Sequence, residues 1–508
     1  MKKCTFSLLL LATTLGLLSQ DCLPAGINFS TQDQVDNFQA NHPGCSNILG
    51  DVAITGNQIT NLTGLNVLTS IGGDLRITFE GASLLGLDNL TSIGGMFRIA
   101  NNSFLTSLEG LNSLASVGGD FDVDENESLK SLAGMENLGW VGEDISITTN
   151  PDLESLSSLD SLVSIGESIT IFKNPSLKSI NGFRNLTSAG GIGISWNAAL
   201  THLDAFHKLV SISGSLAFSQ NQQLASLDSL SNLVSVGSAS FFDVPDLSGL
   251  GNLQSVKYSL TIGTNIGLTS LDGLQNLNHV GNTLKLVNSP SLTSLSALSM
   301  LDSAIEELII QNCPSLTSLH GLEKLDFIHK KLEIENCTAL TSLSGLDNAA
   351  FTFVSLNQGQ ISSLKLIGNH SLAICNFPIV CNYLGAGGWN YIDDNQTGCF
   401  DYWQVMETCG LPVTNVEPAK EEISIFPNRA GEFLEIQGNL SDGAQLSILD
   451  CMGRLQRKEA LLEGQQIDLL GIPGGVLFIQ IRTKDWAISK RIVKLTLPYN
   501  RKSNIIKY

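Results

Sequence analysis

Basic residues are scarce in this chain. Its 508 residues include 28 Lys and Arg against 48 Asp and Glu, a formal net charge of −20, although charged residues are only 15% of the total. Gripping nucleic acid or an anionic membrane requires a concentrated basic surface, so neither partner is expected. The deficit is uneven: from Glu417 onward there are 13 basic and 11 acidic residues, which leaves 15 basic against 37 acidic before it. Long apolar runs are missing too. Only residues 6–18, behind Lys2 and Lys3, form one, too short to span a bilayer comfortably, and they predict a secretory signal over residues 1–20. No transmembrane segment is expected in the mature chain.

Motifs for catalysis are absent. The seven His (His42, His202, His207, His279, His320, His329 and His370) form no metal-ligand spacing, and there is no G-x-S-x-G, phosphate loop or G-x-G-x-x-G. Asp120, Asp122 and Asp124 alternate but lack the Gly and distal Glu of a calcium loop, so they read as outward strand residues. No cofactor, metal or catalytic residue is expected.

What the chain has is a beat. Ile, Val, Leu or Phe recurs at Ile54, Ile77, Ile99, Val123, Ile147, Ile171, Ile194, Phe218, Phe242, Ile262, Leu286, Ile310, Ile334 and Leu366, most often 24 residues apart. Each unit is too short to bury its own apolar side, so units must stack as a solenoid. In one unit Phe97 and Ile99 alternate with Arg98, the period of a half-buried strand, and stacking places such strands in a parallel sheet. Gly pairs before the strand (Gly72–Gly73, Gly94–Gly95, Gly118–Gly119) predict a corner needing backbone freedom. Asn follows the strand end by three residues at Asn57, Asn102, Asn126, Asn150, Asn174, Asn197, Asn221, Asn265 and Asn369, which predicts an inward hydrogen-bonding ladder. Ser recurs at Ser107, Ser131, Ser155, Ser179, Ser226, Ser270, Ser294, Ser318 and Ser342, read as a second internal ladder. Two spacings are irregular: 20 residues from Phe242 to Ile262, and 32 from Ile334 to Leu366, where an insertion includes Phe351 and Phe353.

Both ends of a solenoid need covers. Residues 21–50 are expected to form an N-terminal cap, with a short helix over 30–41 presenting Val35 and Phe38. The solenoid then runs over 51–372, and a Cys-rich cap over 373–410 with Trp389, Tyr391 and Trp403 as its apolar load. Cys22 and Cys45 bracket the entry. Cys313 and Cys337 occupy the Asn corner of adjacent coils, within disulfide reach. Cys375, Cys381, Cys399 and Cys409 admit three pairings, and Cys451 is left over. A linker over 411–421 leads to short strands at 423–426, 433–436, 446–449, 477–481 and 492–495, a small β-sandwich pattern, and 498–508 forms a tail.

Two resemblances follow. The unit Asn-Leu-x-Ser-Ile-Gly-Gly-x-Leu-x-Ile-x-x-Asn, with the Cys22–Cys45 entry, resembles the leucine-rich-repeat-like family related to the receptor L-domain. That implies a right-handed parallel β-solenoid of about 13–14 coils over residues 22 to about 410, all-β, with varied partners. Residues 422–497 resemble the type A sorting domain of the type IX secretion system of Gram-negative bacteria. The match rests on Ile423-Ser-Ile-Phe-Pro427-Asn428, on Asp450 with Gly453-Arg454, on Gly474-Gly475, and on Lys490 to Lys494. Arg429 replaces the usual Pro, Val476-Leu477 the usual aromatic, and fourteen residues follow Lys494. The resemblance implies export through that machinery, then release or anchoring at the outer-membrane surface.

The expected function is non-enzymatic binding or adhesion, with the outer sheet face recognising a protein or carbohydrate. Candidate contacts are Arg76, Arg98, Phe172, Trp196 and Phe241. The alternatives are a structural spacer without a discrete ligand and, more remotely, an enzyme with an unfamiliar site.

Overall fold

The structure is a computed structural model. It describes residues 20–351 and 363–411 and, further on, 424–426, 429–430, 433–437, 444–450, 454–461, 466–482 and 487–494. The chain divides into two compact units, 1–411 and 412–508.

In the first unit sixteen strands, from Ile27–Phe29 to Trp389–Asp393, pair in parallel with the coil before and after, giving about 15 turns of solenoid. That exceeds the expected count because the entry segment and the Cys-rich cap each add a strand. One coil shows why the sequence folds this way. In Phe121–Asp124 the alternation points Phe121 and Val123 inward and leaves Asp122 and Asp124 outward. Leu129, Leu132, Met135, Leu138 and Val141 complete the inward set, all fully buried. Every coil fills the same column from its own side, so one apolar core runs the length of the unit. Burying each such side chain contributes roughly 1.5–3 kcal/mol.

The corner after the strand turns through a left-handed residue. Asn101, Glu125, Thr149, Lys173, Trp196, Gln220 and Asp243 all have φ between 54° and 61°. Apart from Gly, only Asn and Asp adopt this conformation readily, so packing imposes it on the rest. The ladder behind it fixes the turn. Asn126 Nδ2 donates to Ile99 O at 3.0 Å, and its Oδ1 accepts from the Asn102 backbone N–H at 3.1 Å and side chain at 2.9 Å. The pattern runs unbroken through Asn102, Asn126, Asn150, Asn174, Asn197 and Asn221, all buried. Asn57 stands outside it, exposed, while Asn395 of the cap joins it through Asn369 at 3.0 Å.

Two expectations about the other walls change. The recurring Ser residues are half-exposed rather than internal. Ser155 Oγ accepts the Ser157 N–H at 3.2 Å and Ser294 Oγ the Ser296 N–H at 3.1 Å, which sets the next turn. The paired glycines do not take positive φ. A Cβ on Gly118 would overlap the carbonyl of Gly94, and one on Gly142 that of Gly118, so close approach of successive coils requires them. A further Asn series escaped the sequence reading. In the recurring Asn-Leu pairs, Asn89, Asn137, Asn185, Asn232 and Asn276 each donate to a carbonyl of the preceding coil at 2.6–2.8 Å.

At the entry, Thr31 caps the helix Gln32–Asp36 in a reciprocal box with Gln34, and Val35 and Phe38 are buried. Cys22 is bonded to Cys45. In the far cap Cys375 pairs with Cys399 and Cys381 with Cys409. Its apolar load differs from expectation at two of the three residues, and the Trp389 side chain lies outside what the structure describes. Trp403 is exposed and Tyr391 only half-buried, because the helix Pro378–Gly385 covers the end with Ile379, Val380, Tyr383 and Leu384 instead. Phe351 stacks on Tyr383 at 4.3 Å, while Phe353 and the rest of the insertion lie outside the described residues.

Cys313 and Cys337 are free thiols, not a disulfide. They replace Asn in the ladder. Cys313 Sγ lies 3.5 Å from Gln311 O and 3.9 Å from Leu286 O, and Cys337 Sγ 3.5 Å from Glu335 O and 3.8 Å from Ile310 O. Each thiol points at the carbonyls that a ladder amide would use, so the two side chains run in parallel instead of turning together. The hydrogen bond with Cys313, and then burial, push the Cys337 thiol up, which keeps it protonated.

The second unit has a three-stranded antiparallel sheet (Ser424–Phe426, Phe433–Gln437, Gln466–Asp468). A five-stranded, mainly antiparallel sheet holds Gln445–Asp450, Leu455–Ala460, Gly475–Arg482 and Ala487–Lys494, with Arg429–Ala430 pairing in parallel at one edge. Their apolar sides share one core, including Ile425, Leu446, Ile448, Ile467, Ile479 and Ile492. Leu455–Ala460 went unpredicted because its Gln-Arg-Lys-Glu run suits only an edge strand. Among the described residues no helix is long and apolar enough to cross a membrane. The signal over 1–20 (save Gln20), the linker (save Leu411), Cys451 and the tail lie outside the described residues.

Candidate ligand-binding face

Inward residues are occupied with packing, and ladder Asn with the backbone. The outer face of the long sheet is open to a partner, and there register sets three side-chain columns. The central column reads Arg76, Arg98, Asp122, then Ser146, Thr170, Gly193, Ala217, Ser240, Thr261, then Lys285, Ile309, Glu333, Lys365. On one side lie Asp144, whose carboxylate accepts the Ser168 N–H at 2.7 Å, then Ser168, Gly191, Ser215, Ser238, Ser259 and Thr283. On the other lie Thr148, Phe172, Ser195, Ser219, Phe242 and Gly263. The face is therefore charged at both ends and uncharged across five middle strands, from that of Thr170 to that of Thr261, about 19 Å at ~4.8 Å per strand.

At the N-terminal end Arg76 bonds Asp74 at 2.6 Å, and Arg98 lies 3.9 Å from Asp122 and 3.5 Å from Asp124. Burial, followed by the charge of Asp120, raises the carboxyl of Asp122, and Arg98 opposes this. Both arginines are outward as expected, but each is engaged with carboxylates. At the C-terminal end Glu333 and Glu335 lie on one strand between Lys331 and Lys365. Lys365 Nζ is 3.1 Å from Glu333 Oε1 and also pairs with Glu335. Lys331 pairs with Glu333, and Gln311 Nε2 donates to Glu333 at 3.0 Å. Burial, and then the hydrogen bond with Glu333, push Glu335 up to about 7. At Glu333 burial acts the same way, but hydrogen bonds from Glu335 and Lys331 and both lysine charges outweigh it and hold the group at about 2. The two carboxyls thus titrate as a pair sharing one proton.

The aromatic contacts fall in the middle. Phe172 is outward and half-buried, with Lys173 Nζ 5.0 Å from its ring centroid. Trp196 occupies the left-handed corner beside Ser195 and is 53% exposed. Phe241 is not a contact: it is fully buried and stacks on Phe218 at 6.3 Å. Register explains the difference. Phe241 pairs with Phe218 and Ile262, which shifts the beat by one residue and turns Phe242 outward. Alternation cannot decide between two adjacent Phe, and the 24-residue count chose the wrong one. Phe242 lies across Gly263, where a Cβ would come within 2.8 Å of its ring.

Of the predicted sorting residues, Arg454 donates through Nε to Asp450 at 2.7 Å and closes the hairpin between two strands. Lys494 Nζ donates to the carbonyls of Leu469 and Ile472. Gly474 is exposed ahead of Gly475, whose φ is 135°, and Lys490 lies on the strand Ala487–Lys494, paired with Ile479. Pro427, Asn428 and Gly453 lie outside the described residues. Among the described residues no group of His, Cys, Asp and Glu could hold a metal ion. No family model matches the chain, and no curated protein does.

Proposed function

We propose that this is an exported, non-enzymatic binding protein whose outer sheet face recognises a protein or carbohydrate. The observation that carries the reading is the division of labour among polar side chains. The recurring Asn and Ser are spent on bonds within and between coils, whereas Trp196 is left exposed with no ring contact or side-chain hydrogen bond among the described residues. An exposed Trp flanked by Phe172 and Phe242 has the chemistry of a binding hot spot.

The chain is read as a member of the receptor L-domain-like solenoids with a C-terminal type A sorting domain, here a small β-sandwich, that delivers it through type IX secretion to the Gram-negative cell surface or beyond. Three disulfides suit an oxidising compartment. The second unit's motif residues Asp450, Arg454 and Lys494 hold its loops, so the sequence match and the local bonding concern the same side chains.

The test is a screen of the full mature chain against protein and glycan arrays, repeated with Phe172→Ala, Trp196→Ala and Phe242→Ala together. A saturable hit lost in the triple variant supports the reading, and no saturable hit leaves the spacer. Sorting is tested separately. Deleting residues 422–508 is expected to strand the chain in the periplasm, and normal surface display of the deletion would refute the sorting role.

A further inference from the structure

We infer that the ligand of the middle face is a neutral glycan chain, a deepening that rests on the binding role proposed above. The first ground is charge. In a chain of net charge −20, the three outward columns carry no charged residue over five consecutive strands, from that of Thr170 to that of Thr261, while the same columns carry Asp and Arg before them and Lys and Glu after them. A charged partner would find few free complements: Lys173 lies over the Phe172 ring, Asp243 accepts a hydrogen bond from Gln220, and the charges at the ends pair with one another. A neutral partner loses nothing by lying across the middle.

The second ground is the aromatic set. Phe172 and Phe242 lie in one column three strands apart, about 14 Å at the strand spacing, with Ser195 and Ser219 between them. Trp196 stands at the corner beside this interval. Pyranose rings present C–H faces that pack on the negative face of an aromatic ring, and hydroxyl rims that pair with Ser and Thr hydroxyls. An aromatic at either end of a hydroxyl-lined interval suits several sugar units in a row.

Trp196 also supplies a clean test. Its corner is left-handed, and Asn takes the equivalent place at Asn101, Asn288 and Asn312. Trp196→Asn therefore removes the ring while relieving the backbone, so loss of binding cannot be blamed on misfolding. The full mature chain is titrated calorimetrically with cellohexaose, xylohexaose, mannohexaose and maltohexaose, and with polygalacturonate as the charged probe. At least one neutral hexasaccharide is expected to bind, with affinity unchanged between about 0.05 and 0.5 M NaCl, and Trp196→Asn is expected to weaken it at least about tenfold. Binding of polygalacturonate alone, reversed by salt, would overturn the inference, as would neutral-glycan binding indifferent to Trp196→Asn. If the array screen yields a protein ligand lost in the triple variant while all four neutral hexasaccharides fail, the glycan inference falls and the binding role stands. If neither yields a saturable ligand, both fall.

Discussion

The middle and the C-terminal end of the long sheet have the same inward residues and opposite outward ones. Between Ser146 and Thr261 the central column holds only Ser, Thr, Gly and Ala, and between Lys285 and Lys365 it holds Lys, Ile, Glu and Lys. The core beneath does not register the change: Ile171, Ile194, Ile310 and Ile334 are all fully buried. Packing constrains one side of each strand and leaves the other free, so function has to be sought in the columns that do not repeat.

The largest expected effect comes from crossing that boundary inward. Asn150→Ala leaves the Asn126 N–H and the Val123 carbonyl without their partner, at about 1–3 kcal/mol for each buried group. Thr170→Ala, on the outer column of the next coil, is expected to change stability by less than about 0.5 kcal/mol. Denaturant unfolding of both variants checks the contrast, and equal losses would break it.

Next in size is the pH response of the charged end. Glu335 is held up at about 7, so its contribution to stability is present below its ordinary value and lost as pH rises through 7. Glu333 is held down at about 2, so its contribution is present above its ordinary value and lost as pH falls toward 2. The pair therefore favours the folded state most in mild acid. Glu335→Gln is expected to flatten the fall in the solenoid's melting temperature between about pH 5 and 7.5, and Thr170→Ala to leave it as in the wild type. An unchanged fall in Glu335→Gln would show that the pair does not act this way.

The smallest effect separates the two kinds of cysteine. Cys313 and Cys337 are expected to resist iodoacetamide in the folded chain and to react in denaturant without reductant, while Cys375 and Cys399 react only after reduction. A peptide linking Cys313 to Cys337 in a non-reducing digest would contradict the thiol assignment.

These contrasts also mark what was legible in sequence. The inward columns were, because burial demands the same apolar type every coil: thirteen of the fourteen strand ends, from Ile54 to Leu366, are buried as read. The exception, Phe242 for Phe241, arose where both candidates were apolar and only pairing with Phe218 and Ile262 could choose. The left-handed corner was invisible because Asn101, Glu125, Thr149, Lys173 and Trp196 share a backbone conformation and no side-chain chemistry. The Cys313–Cys337 reading failed because spacing reports proximity and not direction. The candidate face was legible only in part. Trp196, Phe172, Arg76 and Arg98 are outward, but the uncharged stretch emerges only once register aligns the columns.

The central claim, that the uncharged middle and not a charged end meets the ligand, is tested most directly by paired variants. Calorimetric titration with the tightest-binding neutral hexasaccharide compares Phe172→Ala/Trp196→Asn/Phe242→Ala with Lys285→Ala/Lys331→Ala/Lys365→Ala in the full chain. Abolished binding in the first set with wild-type affinity in the second is predicted; wild-type affinity in the first with loss in the second would contradict it.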